Sequence, residues 1–448
     1  MEVKQVKIQL SDHFSYGKLL QFTLPSIVMM LFTSIYGVVD GIFVSNFAGK
    51  IPFTAINLIM PYIMVFGTVG FMVGTGGTAL ISKTLGEGNR EKANEKFSML
   101  TWVCILSGVV LTVVALLFLR PAAVLLGAQG QVLEDCVTYG MIVLPANTAY
   151  IIQFAYQSFC VTAEKSNLSL TMTVASGLCN IILDGLFVAV FRWGLVGAAA
   201  ATAIAQFLGA VIPVVYFARP NRSLLRLGKF RFHGKALVRT FTNGSSELMS
   251  NLSMSLVGML YNLQLLRYAG EDGVAAYGVI MYVNFIFIAI FIGFSIGSAP
   301  LIGYNFGADN RDELKNLFRK SLVILSVFSL VMTTAAILLA RPLALIFVSY
   351  DPALMDMTVR GFIFYALSFL LCGFNIFGSS MFTALNNGLI SAVISFLRTL
   401  VCQIAAVMIL PLLLDVDGIW LSIVAAELAA LALTLFCFVK YRKRYHYA

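Results

Sequence analysis

The sequence predicts an all-α polytopic membrane protein, with twelve transmembrane helices in two six-helix bundles related by an internal repeat. Three observations predict it. The first is composition: of 448 residues 59% are hydrophobic and only 11% charged, with a mean hydropathy of +0.90. A soluble domain is closer to half apolar and a quarter charged. The second is an ungapped echo at 221 positions. Gly37 falls on Gly258, Ala48-Gly49 on Ala269-Gly270, Gly76 on Gly297, Gly86 on Gly307, and Asn89-Arg90 on Asn310-Arg311. Arg120-Pro121 meets Arg341-Pro342, Gly140 meets Gly361, and Thr162-Ala163 meets Thr383-Ala384. The matches are mostly glycines, prolines and loop charges, which mark helix ends and close backbone approaches. The third is a one-sided placement of the cations, counted below.

Taken in order, the polar start to Lys18 carries no cleavable signal pattern, so the first apolar span is expected to remain. Stretches long enough to cross about 30 Å of hydrocarbon as helix then follow at 17–44, 52–82, 97–119, 136–160, 168–190 and 194–217. The second set is 238–268, 274–303, 319–340, 358–382, 388–413 and 418–439. Six spans per repeat give an N-lobe over 1–218, a basic linker over 219–235 and a C-lobe over 236–448. Gly74-Thr75-Gly76-Gly77 lies inside an apolar span, where glycines serve close helix packing rather than a phosphate. An even number of spans per repeat gives the copies the same topology, about an axis along the membrane normal.

With both termini inside, the inner segments hold 23 of the 30 Lys and Arg and the outer segments six, leaving Arg398 within a span. The inner cations run from Lys4, Lys7 and Lys18 to Lys440 and Arg444, and the stretch from Arg219 to Arg239, the linker and its immediate continuation, holds seven of them. Such a bias predicts cytoplasmic termini. It also accounts for the net charge of +9 without nucleic acid, because the cations sit in short loops against the inner leaflet.

Enzyme chemistry finds no support. The seven cysteines show no CxxC or Cys/His spacing, and the three histidines (His13, His233, His446) lie in terminal or loop segments. No Walker A, G-x-S-x-G or HExxH motif is present. The chain is read as a non-enzyme with neither catalytic residues nor a cofactor, binding no metal beyond Na⁺ as a possible coupling ion.

Chemistry then falls to ionisable residues inside the membrane, where each is costly and marks an ion path or a partner. Of 21 acids, nine lie in inner segments (including Glu2) and eight in outer ones, which leaves Asp40, Asp184, Glu247 and Glu427 within spans. Asp40 and Asp184 lie at matched depth near the outer ends of the first and fifth spans, with Tyr36 and Asn180 at i−4. Thr202 and Tyr139 reach nearly that level. Two close carboxylates do not both ionise easily, which suits a proton or small cation. Positions 221 residues on are Tyr261 and Ala405, so the site belongs to the first repeat alone. Bracing of the bundle by these acids is the structural alternative. Glu247, Glu427 and Arg398 all fall at mid-depth, which reads as an ion pair in the second repeat, or else as a further coupling or substrate-charge site.

Leu24-Pro25 opening the first span, Asp40 near its end, and Gly86-Glu87-Gly88-Asn89 and Gly307-Ala308-Asp309-Asn310 after the second and eighth spans carry a resemblance. With Asn180-Ile181-Ile182-Leu183-Asp184 in the fifth span, the set resembles the multidrug and toxic compound extrusion (MATE) family over essentially the whole chain. The resemblance implies a V-shaped pair of bundles that exports amphipathic, often cationic, compounds in exchange for H⁺ or Na⁺. It implies that Asp40, Asn180 and Asp184 bind the coupling cation and that Tyr36, Tyr139 and Thr202 line the same pocket. Where many relatives carry an amide in the fourth span, Gln153 and Gln157 are the nearest candidates. Pro25 resembles a proline at which the first helix bends. The expectation is therefore a bacterial plasma-membrane antiporter, acting as a monomer on a small amphipathic substrate within the bilayer. The alternative is a lipid-linked oligosaccharide flippase of related architecture, which would line its interior with more cations than Arg398.

Overall fold

The computed structural model describes residues 8–44, 47, 49–349 and 351–448. Glu2, Lys4, Lys7 and Ala48, named above, lie outside them. The described residues form helices and contain no strand. Within a bilayer this follows from the backbone: each N–H and C=O must be satisfied internally, and a helix does so within one segment.

The first repeat holds α1 (Tyr16–Phe43), α2 (Lys50–Gly86), α3 (Arg90–Leu125), α4 (Gly130–Val143), α5 (Asn147–Thr162), α6 (Ser166–Asp184) and α7 (Gly194–Ala218). The second holds α8 (Gly234–Gly307), α9 (Arg311–Val348), α10 (Pro352–Ala366), α11 (Phe369–Ala384), α12 (Gly388–Phe396), α13 (Cys402–Ile409) and α14 (Pro411–Tyr445). Among the described residues nine helices are long and apolar enough to cross a membrane, or ten if α10 and α11, bent by 47°, form one span.

Five expected spans differ in detail. The fourth is two helices, α4 and α5, joined by a 3₁₀ turn at Leu144–Ala146, where Pro145 supplies no backbone N–H. The seventh and eighth run together as the 74-residue α8, turned at Gly270 (φ 67, ψ −156). The eleventh is α12 and α13 joined by a π-helical stretch, Leu397–Val401, and α14 turns at Asp415 (φ 48, ψ −131).

Backbone conformation repeats with the sequence. The positive-φ residues Gly49 and Gly270, Gly88 and Asp309, and Gly194 and Asp415 form three pairs, each separated by 221 positions. Packing repeats too. A Cβ on Gly86 would stand 2.0 Å from the Tyr304 carbonyl oxygen, and one on Gly307 would stand 2.0 Å from that of Lys83. Residues 83 and 304 are themselves 221 apart, so this is one contact made twice, as a two-fold relation requires. Gly76 against Gly244 and Gly297 against Thr23 form a second such pair. At the other end of these helices Gly37, Gly258 and Gly278 have nothing within 4 Å. The close glycine contacts between the repeats therefore lie at the end where α1 begins and α14 ends, whereas Gly37, Gly258 and Gly278 towards the opposite end face open space.

Candidate functional site

Close packing of α6 on α1 builds the site in the first repeat. A Cβ on Gly177 would lie 2.5 Å from the Phe32 ring and 3.2 Å from that of Tyr36, so only glycine lets the two helices approach this closely. One turn further along α6 comes Asn180, and one turn beyond it Asp184, both buried. From α1, Asp40 comes close enough to Asp184 for the two carboxyl groups to interact directly. Tyr139 of α4 adjoins both acids, with its hydroxyl against Thr202 of α7. A π-helical turn, Gly185–Val190, follows Asp184 directly, a feature often found at functional sites.

The hydrogen bonding of this cluster is incomplete. One oxygen of Asp40, both oxygens of Asp184, the amide nitrogen of Asn180 and the amide oxygen of Gln206 are buried without a partner among the described residues. Buried polar groups are normally satisfied, so such a concentration of orphaned polar atoms, four of them acceptor oxygens, asks for a proton, a cation or water. Beside it lies a cavity of about 40 Å³ lined by Tyr36, Tyr150, Gln153, Ser176, Asn180, Thr202 and Gln206. That is room for roughly one to three small guests. Among the described residues no cluster of three or more His, Cys, Asp or Glu side chains is suited to a metal ion.

The two candidate amides separate here. Gln153 lines the cavity, seated against Gly209 and 3.4 Å from the Ser176 hydroxyl. Gln157, one turn along, donates to Thr173 at 3.2 Å and does not line it. Sequence reasoning missed Tyr150, Ser176 and Gln206. A signal existed for two of them, since Ser176-Asn180-Asp184 and Thr202-Gln206 are polar stripes at i, i+4 spacing in apolar helices. Tyr150 carried none among so many aromatics.

Pro25 lies in a continuous α1, beside the contact of Ile27 with Gly293 on α8, where a Cβ would come within 2.5 Å. In the second repeat, Arg398 Nε donates to both Glu427 oxygens at 2.8 and 3.0 Å, and Asn375 donates to Glu427 at 2.7 Å. The ion pair expected from depth is present. Glu247 lies near enough to Arg398 to feel its charge, but Arg398 is bonded to Glu427 instead.

The MatE family model matches residues 25–186 and again 248–409, one match per repeat. The chain belongs to the MatE family. Its curated relatives include the multidrug export protein MepA of Staphylococcus haemolyticus, 26% identical over 430 residues that cover 96% of this chain and 94% of that protein. MepA of Staphylococcus aureus is 26% identical over 95% of this chain and 94% of its own length. Among solved structures, the outward-facing conformation of a multidrug resistance MATE family transporter of the MOP superfamily superposes with a TM-score of 0.91. It is 21% identical and covers 98% of each chain, so the likeness is one of fold. MatE membership places the Asp40–Asp184 cluster inside the first matched unit, and Arg398 inside the second.

Proposed function

We propose that this MatE protein is a secondary active antiporter that exports small amphipathic, cationic compounds in exchange for H⁺ or Na⁺. The observation that carries the reading is the set of unpartnered buried oxygens on Asp40 and Asp184, with no carboxylate counterpart among the described residues of the second repeat. A proton or Na⁺ there neutralises charge for which the described residues show no salt bridge, and so favours one arrangement of α1 and α6 over another. Pro25 gives α1 a place to bend among its contacts with α8 at Thr23 and Ile27.

Substrate would enter the space where the repeats stand apart. On that side a groove of about 800 Å³ runs along α8, lined by Met254, Gly258, Asn262 and Leu266, with Glu271 as its formal charge. Apolar walls, adaptable methionines and one acid suit lipophilic cations of varied shape. In this reading the lobes are residues 1–218 and 236–448, and twelve spans cross the bacterial plasma membrane with both termini cytoplasmic. The structure would then be open to the outside. The flippase reading finds less support, because the buried Arg398 is already committed to Glu427.

The test is reconstitution in liposomes with a fluorescent lipophilic cation, under an imposed pH gradient and, separately, an imposed Na⁺ gradient. One gradient should drive efflux in the wild type and fail to do so in Asp40→Asn. Efflux at the wild-type rate in that variant would move the coupling site elsewhere.

A further inference from the structure

The described segment before the first helix of each repeat crosses to the third span of the other, α9 or α3. Ahead of α1, Phe14 is fully buried; its N–H donates to Glu313 Oε1 of α9 at 3.0 Å, and His13 Nδ1 lies 2.5 Å from Glu313 Oε2. Asn316 and Lys320, also on α9, donate to the Phe14 carbonyl at 2.9 and 2.5 Å. Leu10 ties the same segment back to the first repeat, its N–H donating to Glu164 at 2.9 Å.

Ahead of α8 the arrangement recurs. His233 Nε2 lies 3.1 Å from Glu95 Oε2 of α3, and Arg231 donates to Glu95 Oε1 at 2.6 Å. The backbone amides of Arg226 and Gly228 donate to Asn94 and Ser98 of α3, each at 2.9 Å. In repeat register the two histidines differ by one residue and the two glutamates by about one turn. Both acids are shielded, with side chains 14% exposed at Glu95 and 6% at Glu313. Neither belongs to the Asp40–Asp184 cluster.

We propose that these two straps form a reciprocal latch that holds the terminal face of the transporter shut. The inference rests on the alternating-access reading above. Opening that face moves α3 away from the start of α8, and α9 away from the start of α1. The His–Glu and amide–Glu bonds exist only while the face is closed, so their free energy enters the equilibrium between the two states rather than the stability of either lobe. Charge-assisted bonds to shielded carboxylates are the stronger kind, and two of them acting together make opening conditional on releasing both ends.

The test measures separation at this face by electron–electron spin resonance on the full chain in lipid nanodiscs. Labels go on cysteines introduced at the exposed Glu91 of α3 and Lys315 of α9, with the half-buried Cys179 and Cys402 replaced by serine. The wild type should show a short-distance and a long-distance population whose ratio responds to pH or Na⁺. Glu95→Gln and Glu313→Gln should each raise the long-to-short ratio by about tenfold, the scale of losing one charged hydrogen-bonded contact, and the pair together by more. Glu134→Gln, which removes an exposed ion pair with Arg120 at the far face, should leave the ratio alone. If a glutamate variant fails to fold, His13→Asn tests the same strap. A ratio unmoved in the strap variants while the wild type shows both populations overturns the latch. A single population in the wild type under every condition overturns alternating access instead.

Discussion

Replacing Arg398 tests the physics of the second repeat most sharply. Glu427 is held by Arg398 Nε at 2.8 and 3.0 Å, by Nη2 at 2.8 Å and by Asn375 at 2.7 Å, and its side chain is 2% exposed. Arg398→Met leaves that carboxylate buried with one neutral donor. Breaking a buried pair from one side costs about 3–5 kcal/mol, and so complete a burial places this case toward the upper part of that range. Glu427→Gln should cost less, about 1–3 kcal/mol, for two structural reasons. The Arg398 side chain is 14% exposed and has Glu247 nearby, and glutamine still accepts from Asn375. In the double variant Arg398→Met/Glu427→Leu no charge is stranded, so it should be more stable than Arg398→Met alone by roughly 1–3 kcal/mol, a coupling expected only for residues in contact. Denaturant titration of purified protein in micelles, followed by circular dichroism, reads all three. Arg398→Met costing under about 1 kcal/mol, or the double variant proving no more stable than Arg398→Met alone, would refute the reasoning.

Other outcomes follow from the same geometry. Asp40→Asn and Asp184→Asn should each abolish gradient-driven efflux in liposomes while leaving binding of a lipophilic cation intact, and the double variant should be little worse than either, since residues acting as a unit are not additive. Gly86→Ala puts a methyl carbon 2.0 Å from the Tyr304 carbonyl oxygen and should lower the melting temperature, whereas Gly37→Ala, with nothing within 4 Å, should be neutral. Asp12 reports on the strap before α1: burial would raise its carboxyl, but Lys18 and the Gln9 amide outweigh that and hold it below the usual range. Its stabilisation is therefore full above the ordinary carboxylate range and is lost as pH falls through the lowered value. Asp12→Asn should remove that acid limb from a stability–pH profile, at a cost of at most about 1 kcal/mol at neutral pH.

The sequence by itself determined the helical class and the repeat, because these depend on hydrophobic run length and glycine punctuation, and the rise of a helix gave each buried charge an expected depth. Gly49 and Gly270 were visible as a repeated pair, and both turn at positive φ, where only glycine is unstrained. Asp40, Asp184 and Asn180 were legible because a charge or amide inside an apolar span stands out, and depth brought them to one level. Depth did not decide lateral direction. It placed Glu247 and Glu427 alike beside Arg398, and only packing of the π-helical stretch against α14 turned the guanidinium toward Glu427. A different limit separated Gln153 from Gln157: they share one face of α5 a turn apart, and only the placement of the cavity along that helix decides which amide reaches it. The straps were hidden for a further reason. His13 and Glu313 are 300 residues apart, and a polar segment outside the bilayer has no periodicity to say what it rests on.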